Sequence, residues 1–181
     1  NSNDRSELER VDFDFPLQEN AAIALSPNGQ YAYFTAWDPK AESENYTLFI
    51  TKKTIDNTWS SPESAGLQIN TKGYNTMQPF VTNDGKYLIF SSDRPGGYGK
   101  NDIWYAPVRT DGSLGQAINM GETINTKEND EAAVYNVDSK KLIFSSDGRI
   151  GMGNMDFFES EGEFGNWSAP RNMGFPFNSS K

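Results

Sequence analysis

The 181-residue chain contains no cysteine and no histidine. Without cysteine there are no disulfides, no thiol nucleophiles and no thiolate metal sites. Without histidine there is no Ser-His-Asp or Cys-His machinery, no imidazole-ligated metal and no imidazole general base. Chemistry would have to run on carboxylates, lysine, tyrosine or serine. Positive charge is also short: 16 Lys and Arg stand against 25 Asp and Glu, for a net charge of −9. Such a surface repels nucleic acid and anionic membranes, and it favours solubility. No apolar run reaches the roughly 18 residues expected of a membrane span, and the polar segment Asn1 to Arg10 lacks a signal-peptide core. Only 35% of residues are hydrophobic, yet aromatics reach 13%. Disorder would deplete aromatics, so the composition describes a folded chain with large polar loops. Sixteen Gly and nine Pro fit a turn-rich β architecture.

What is present is a repeat. Three hairpin centres recur: Ser26-Pro27-Asn28-Gly29, Thr82-Asn83-Asp84-Gly85 and Val137-Asp138-Ser139-Lys140. In the first two, Asn-Gly and Asp-Gly predict a tight type I′ turn with positive φ, and Gly85 is one of the repeat's marker residues. The third, with Ser139 in place of Gly, should turn less comfortably. Apolar runs ending in Phe34, Phe90 and Phe144 follow, then Ala36-Trp37-Asp38, Ser91-Ser92-Asp93 and Ser145-Ser146-Asp147. Nine residues past each Asp stand Thr47, Asp102 and Asp156, each opening a second apolar run. Segments around Trp59, Leu114 and Trp167 come next. A closing motif ends each copy: Gly66…Ile69-Asn70, Gly121…Ile124-Asn125 and Gly174…Phe177-Asn178. Four motifs stay in phase through three copies.

Each copy reads as four short strands, the fourth around Trp59, Leu114 or Trp167. A four-stranded unit at fixed period predicts all-β propeller blades of antiparallel strands. The predicted organisation is a lead-in over 1–19, a divergent blade over 20–71, a second over 72–126 and a third over 127–181. In the lead-in, Phe13 falls where Ile69, Ile124 and Phe177 fall later, which marks it as the tail strand of a preceding blade. Propellers have four to eight blades, so three cannot close a ring. Either the segment belongs to a longer chain, or copies associate to complete the ring.

The segments Phe90 to Trp104 and Phe144 to Asp156 resemble the TolB-type, WD-like (PD-type) propeller repeat. The version they resemble occurs in cell-envelope proteins of Bacteroidota. There the propeller accompanies OmpA-like peptidoglycan-binding domains, as in a periplasmic component of type IX secretion. The resemblance runs from about Ala21 to Asn178. It implies a periplasmic setting, other envelope proteins as partners, and peptidoglycan association through domains outside this chain. The first copy departs from the pattern: it carries Pro39 to Asn45 in place of the Gly-rich loop, and Thr47 in place of the second Asp.

Two carboxylate pairs bracket the Gly-rich loops: Asp93 with Asp102, and Asp147 with Asp156. As metal ligands they would suit calcium; as acid and base they would suit a glycosidase. The structural reading is that each Asp locks its own loop by hydrogen bonds, and recurrence in successive blades favours it. No other cofactor is expected. Trp37 and Tyr98, placed in loops, are the candidates for stacking on a ligand. Gly85, Asn70, Asn125 and Asn178, with the four Asp residues, mark the repeat. The reading is therefore a non-catalytic scaffold for protein–protein contact in the bacterial envelope. A glycan-binding propeller is the alternative, and a carboxylate glycosidase a further one.

Overall fold

The computed structural model describes residues 18–37 and 45–180, with side chains from residue 22. The lead-in with Phe13, and most of the segment from Asp38 to Asn45, lie outside the described residues. Strands β1 (Gln18–Leu25), β2 (Tyr31–Trp37), β3 (Tyr46–Lys52) and β4 (Glu63–Ser64) form one antiparallel sheet in chain order. Strands β5 (Thr76–Val81), β6 (Tyr87–Ser92), β7 (Asp102–Pro107) and β8 (Ile118–Asn119) form the second. The third comprises β9 (Asp130–Asn136), β10 (Lys141–Ser146), β11 (Asp156–Glu163), β12 (Asn166–Trp167) and β13 (Arg171–Asn172), with both β12 and β13 paired to β11. The expected propeller blades are therefore present.

Two local expectations need correction. The fourth strands do not form around Trp59 and Leu114, which make only single bridges to Lys53 and Val108. The paired segments come later, as β4 and β8. The hairpin turns are not type I′, because only the glycine takes positive φ (66° at Gly29, 72° at Gly85). The Gly29 N–H donates to the Ser26 carbonyl and the Gly85 N–H to the Thr82 carbonyl, both at 2.8 Å. Each turn thus centres on the two residues before its glycine. In the third hairpin Lys140, not Ser139, takes the left-handed conformation (φ 53°).

The core lies between the sheets. One cluster joins Leu48 and Ile69 of the first blade to Val81, Leu88, Phe90 and Trp104 of the second. The other joins Ile103, Ile124 and Tyr105 of the second to Tyr135, Leu142, Phe144 and Phe158 of the third. A strand pair cannot bury both of its faces alone, so each blade buries one face on each neighbour. β5 and β9 also carry matching bulges, with Gln78 and Ala132 at φ 53° and 52°. Pro79 sits at the β5 bulge, on an edge strand where the missing N–H costs no ladder bond.

Candidate functional site: the loop end and the blade junctions

The β6–β7 and β10–β11 loops occupy the same end of their blades. Asp102 opens β7 with its side chain turned back into the loop. It accepts from the Tyr98 N–H at 2.6 Å, the Gly99 N–H at 3.0 Å and Asn119 Nδ2 at 2.8 Å. Asp156 accepts from the Met152 and Gly153 N–H groups at 2.6 and 3.0 Å. Its Oδ1 and Asn172 Nδ2, the counterparts of the Asp102–Asn119 bond, are buried without a partner. The glycines permit this close approach. A Cβ on Gly97 would lie 2.3 Å from Asp102 Oδ2, and one on Gly151 would lie 1.7 Å from Asp156 Oδ2.

Asp93 and Asp147 work elsewhere. Asp93 accepts from Asn75 N–H and Nδ2 at 2.6 and 3.0 Å, and Asp147 from Asn129 N–H and Nδ2 at 2.7 and 2.9 Å. Each Asn in turn reaches the preceding blade: Asn75 Oδ1 accepts from the Tyr46 N–H at 3.0 Å, and Asn129 Oδ1 from Asn101 Nδ2 at 3.2 Å. Burial pushes the Asp147 carboxyl up, but the Asn129 donors outweigh it and the net shift is downward. Among the described residues no group of three Asp or Glu side chains could hold a metal ion. Of the carboxylate oxygens of Asp93, Asp102, Asp147 and Asp156, all but Asp156 Oδ1 face N–H donors.

The closing asparagines act as substitute strand partners. Asn70 accepts from the Leu48 N–H at 3.0 Å and donates to the Leu48 carbonyl at 2.8 Å. Asn125 does the same with Ile103 at 2.8 and 3.0 Å, and Asn178 with Phe157 at 2.7 and 2.9 Å. Gly85, the remaining repeat marker, closes the β5–β6 turn at its positive φ.

A pair of arginines was not anticipated. Arg94 is buried, lies 4.8 Å from the Phe90 ring and 5.1 Å from the Trp104 ring, and donates to the Ile69 carbonyl of the preceding blade. Burial lowers its guanidinium pKa to about 10, against the opposing charge of Asp93. Arg149 repeats the arrangement, donating to the Thr123 and Ile124 carbonyls at 2.8 and 3.0 Å and to Asp130 at 3.3 Å. Burial pushes the Asp130 carboxyl up, against hydrogen bonds from Ser146 and Thr126 and the charge of Arg149. Arginine usually reads as surface, so the sequence carries no signal for this role beyond its recurrence.

Trp37 is not in a loop: it ends β2, half-buried and paired with Gln18 and Tyr46. Tyr98 is in its loop and exposed, and so are Ile150, Met152 and Met155 of the corresponding loop. At the first junction Tyr31, Ile50, Lys52 and Gly112 line a groove of about 720 Å³, which sequence reasoning missed because it forms between blades.

Antiparallel sheets packed face to face around shared cores define a run of β-propeller blades. No family model matches the chain, and no curated protein matches it. Solved structures do. TolB from Acinetobacter baumannii matches with a TM-score of 0.59 at 20% identity, over 89% of this chain and 33% of that one. A putative TolB from Agrobacterium tumefaciens matches with a TM-score of 0.54 at 16% identity, over 85% of this chain and 50% of that one. Puromycin hydrolase matches with a TM-score of 0.60 at 18% identity, over 97% of this chain and 25% of that one. The chain shares the β-propeller blade fold of these proteins and spans half or less of each of them. The expectation of a non-enzymatic protein is corrected: puromycin hydrolase contains the same blade fold, so the absence of catalysis does not follow from the fold.

Proposed function

We propose that these blades serve as an interaction scaffold for proteins of the bacterial envelope, with the loop end as the contact surface. One observation carries this reading. Asp102 and Asp156 pin the β6–β7 and β10–β11 loops from within, while Tyr98, Ile150, Met152 and Met155 face solvent on them. Exposed apolar side chains on braced loops favour contact with a partner, and methionine adapts to irregular surfaces. The TolB-like fold and the resemblance to Bacteroidota envelope proteins support a periplasmic setting, within a peptidoglycan-associated or type IX secretion assembly. A glycan-binding reading rests on Tyr98, an exposed aromatic ring.

The test is site-specific photo-crosslinking in the producing cells from positions 150 and 152, with position 138 at the opposite end of the strands as control. Discrete adducts with an envelope protein from 150 and 152 but not from 138 are expected. No adducts, or the same adducts from all three positions, would overturn the proposal. Calorimetric glycan binding abolished by Tyr98→Ala would favour the glycan reading.

A further inference from the structure

The turn that follows the third strand of each blade can be aligned residue by residue. The N–H groups of Lys53, Val108 and Gly162 donate to the Gln30, Lys86 and Lys140 carbonyls at 2.8, 2.8 and 2.9 Å. The same three residues pair with Trp59, Leu114 and Trp167. Three residues before those partners stand Asp56, Asp111 and Phe164. By the same register Tyr31 corresponds to Tyr87, and Ile50 to Tyr105.

The two junctions differ at this turn. At the second, Phe164 of the third blade lies over the second blade, 4.3 Å from the Tyr87 ring and 4.5 Å from the Tyr105 ring. Tyr135 and Trp167 close around it at 5.2 and 5.8 Å. At the first junction Asp111 stands in the place of Phe164, with Val81 and Leu114 in the places of Tyr135 and Trp167. The Asp111 carboxylate accepts from Ser113 N–H and Oγ at 3.0 and 2.7 Å, within its own turn. The turn backbone rests on Tyr31, since a Cβ on Gly112 would lie 2.2 Å from that ring. Ile50 is left on the wall of the groove of about 720 Å³, which is open space of the size that ligands fill.

We infer that this groove receives an aromatic side chain of a partner protein, carried beside an acidic residue, as the second junction receives Phe164. The internal occupant supplies the ring. The charge of the rim supplies its neighbour. Lys52 and Lys53 line the groove, with Lys52 Nζ 5.8 Å from the centre of the Tyr31 ring. Among the described residues neither ammonium pairs with a carboxylate. Of the two carboxylates on the groove, Asp111 is bonded within its turn and has Arg109 near it, which leaves Glu63 against two lysines. This is a positive rim on a chain of net charge −9, and it attracts an acidic residue next to the ring. Phe164 itself follows Glu163. The groove lies at the end of the strands opposite the Gly-rich loops, so the inference does not rest on the loop-end contact surface.

The probe is a capped peptide of sequence Ser-Glu-Gly-Glu-Phe-Gly-Asn, the segment around Phe164, titrated into the isotope-labelled chain. The backbone amide resonances of Ile50, Ala65 and Gly112 should shift and saturate with a Kd of about 1 mM or below. The same peptide with alanine in place of phenylalanine should shift none of them. Lys52→Glu, at an exposed side chain, should weaken binding at least about five-fold while melting is unchanged. Asp111→Phe provides the missing ring from the chain itself, so it should raise the melting temperature and abolish the shifts. Amides unmoved by the peptide, equal binding of the alanine peptide, or a Lys52→Glu chain that binds as well as the parent would overturn the inference. Phenylacetate binding as tightly as the peptide would also overturn it, because the groove would then be a site for a small aromatic acid.

Discussion

Tyr33 shows how a single side chain ties two blades together. It lies in β2, fully buried, and its hydroxyl donates to the Gly112 carbonyl of the second blade at 2.8 Å. Burial pushes its pKa well above the usual 10.0, and the nearby Tyr31 and Asp111 push in the same direction. The folded chain then holds a proton that the unfolded chain gives up near pH 10, so stability falls as pH rises through that value. Melting temperatures from neutral to alkaline pH should fall less steeply above pH 10 for Tyr33→Phe than for the parent; equal slopes would refute the assignment. At this scale the sequence disclosed the identity of the special residues better than their partners. The nine-residue spacing singled out Asp93 with Asp102, and Asp147 with Asp156, as pairs. The fold separates each pair. Asp102 and Asp156 turn into their own loops, while Asp93 and Asp147 reach back 18 residues to Asn75 and Asn129. Nothing local marks those asparagines, because their role arises only where two blades meet.

Among the elements, the strands held by side-chain amides are the most exacting. Asn125 is buried and satisfies both the N–H and the carbonyl of Ile103. Asn125→Ala leaves both groups buried and unpaired, and unfolding in urea should show a loss of about 1–3 kcal/mol or more. An unchanged midpoint would mean that the bonds are replaced by water. Hairpins and the up-and-down strand order were legible because alternation and turn residues are local signals. The turn type was not, since Pro27 and Asn83 begin turns that place positive φ only at the glycine. The bulges at Gln78 and Ala132 were equally hidden. Gln78 Oε1 accepts from the Ala132 N–H at 3.1 Å and from Ser91 Oγ at 2.8 Å, so the distortion is set by the next blade.

For the molecule as a whole, the repeat period was enough to specify propeller blades, because phase through three copies admits few other architectures. The recurrence of Phe90, Trp104, Phe144, Phe158 and Trp167 at blade positions pointed to packing between blades, and all five lie in the junction cores. Arginines such as Arg94 give no hint that they bind the previous blade. Taken together, the shared cores, the Asp–Asn relays, the buried Arg94 and the half-buried Arg149 place the stability of the chain at its junctions. Amide hydrogen exchange of the chain tests this directly. Leu48, Ile103 and Phe157 make the same bond to an asparagine, but only the first two lie under a following blade. Slow exchange at Leu48 and Ile103 with much faster exchange at Phe157 is the predicted result. Equal protection of all three would mean that each blade is stable by itself, contradicting a fold held at its junctions.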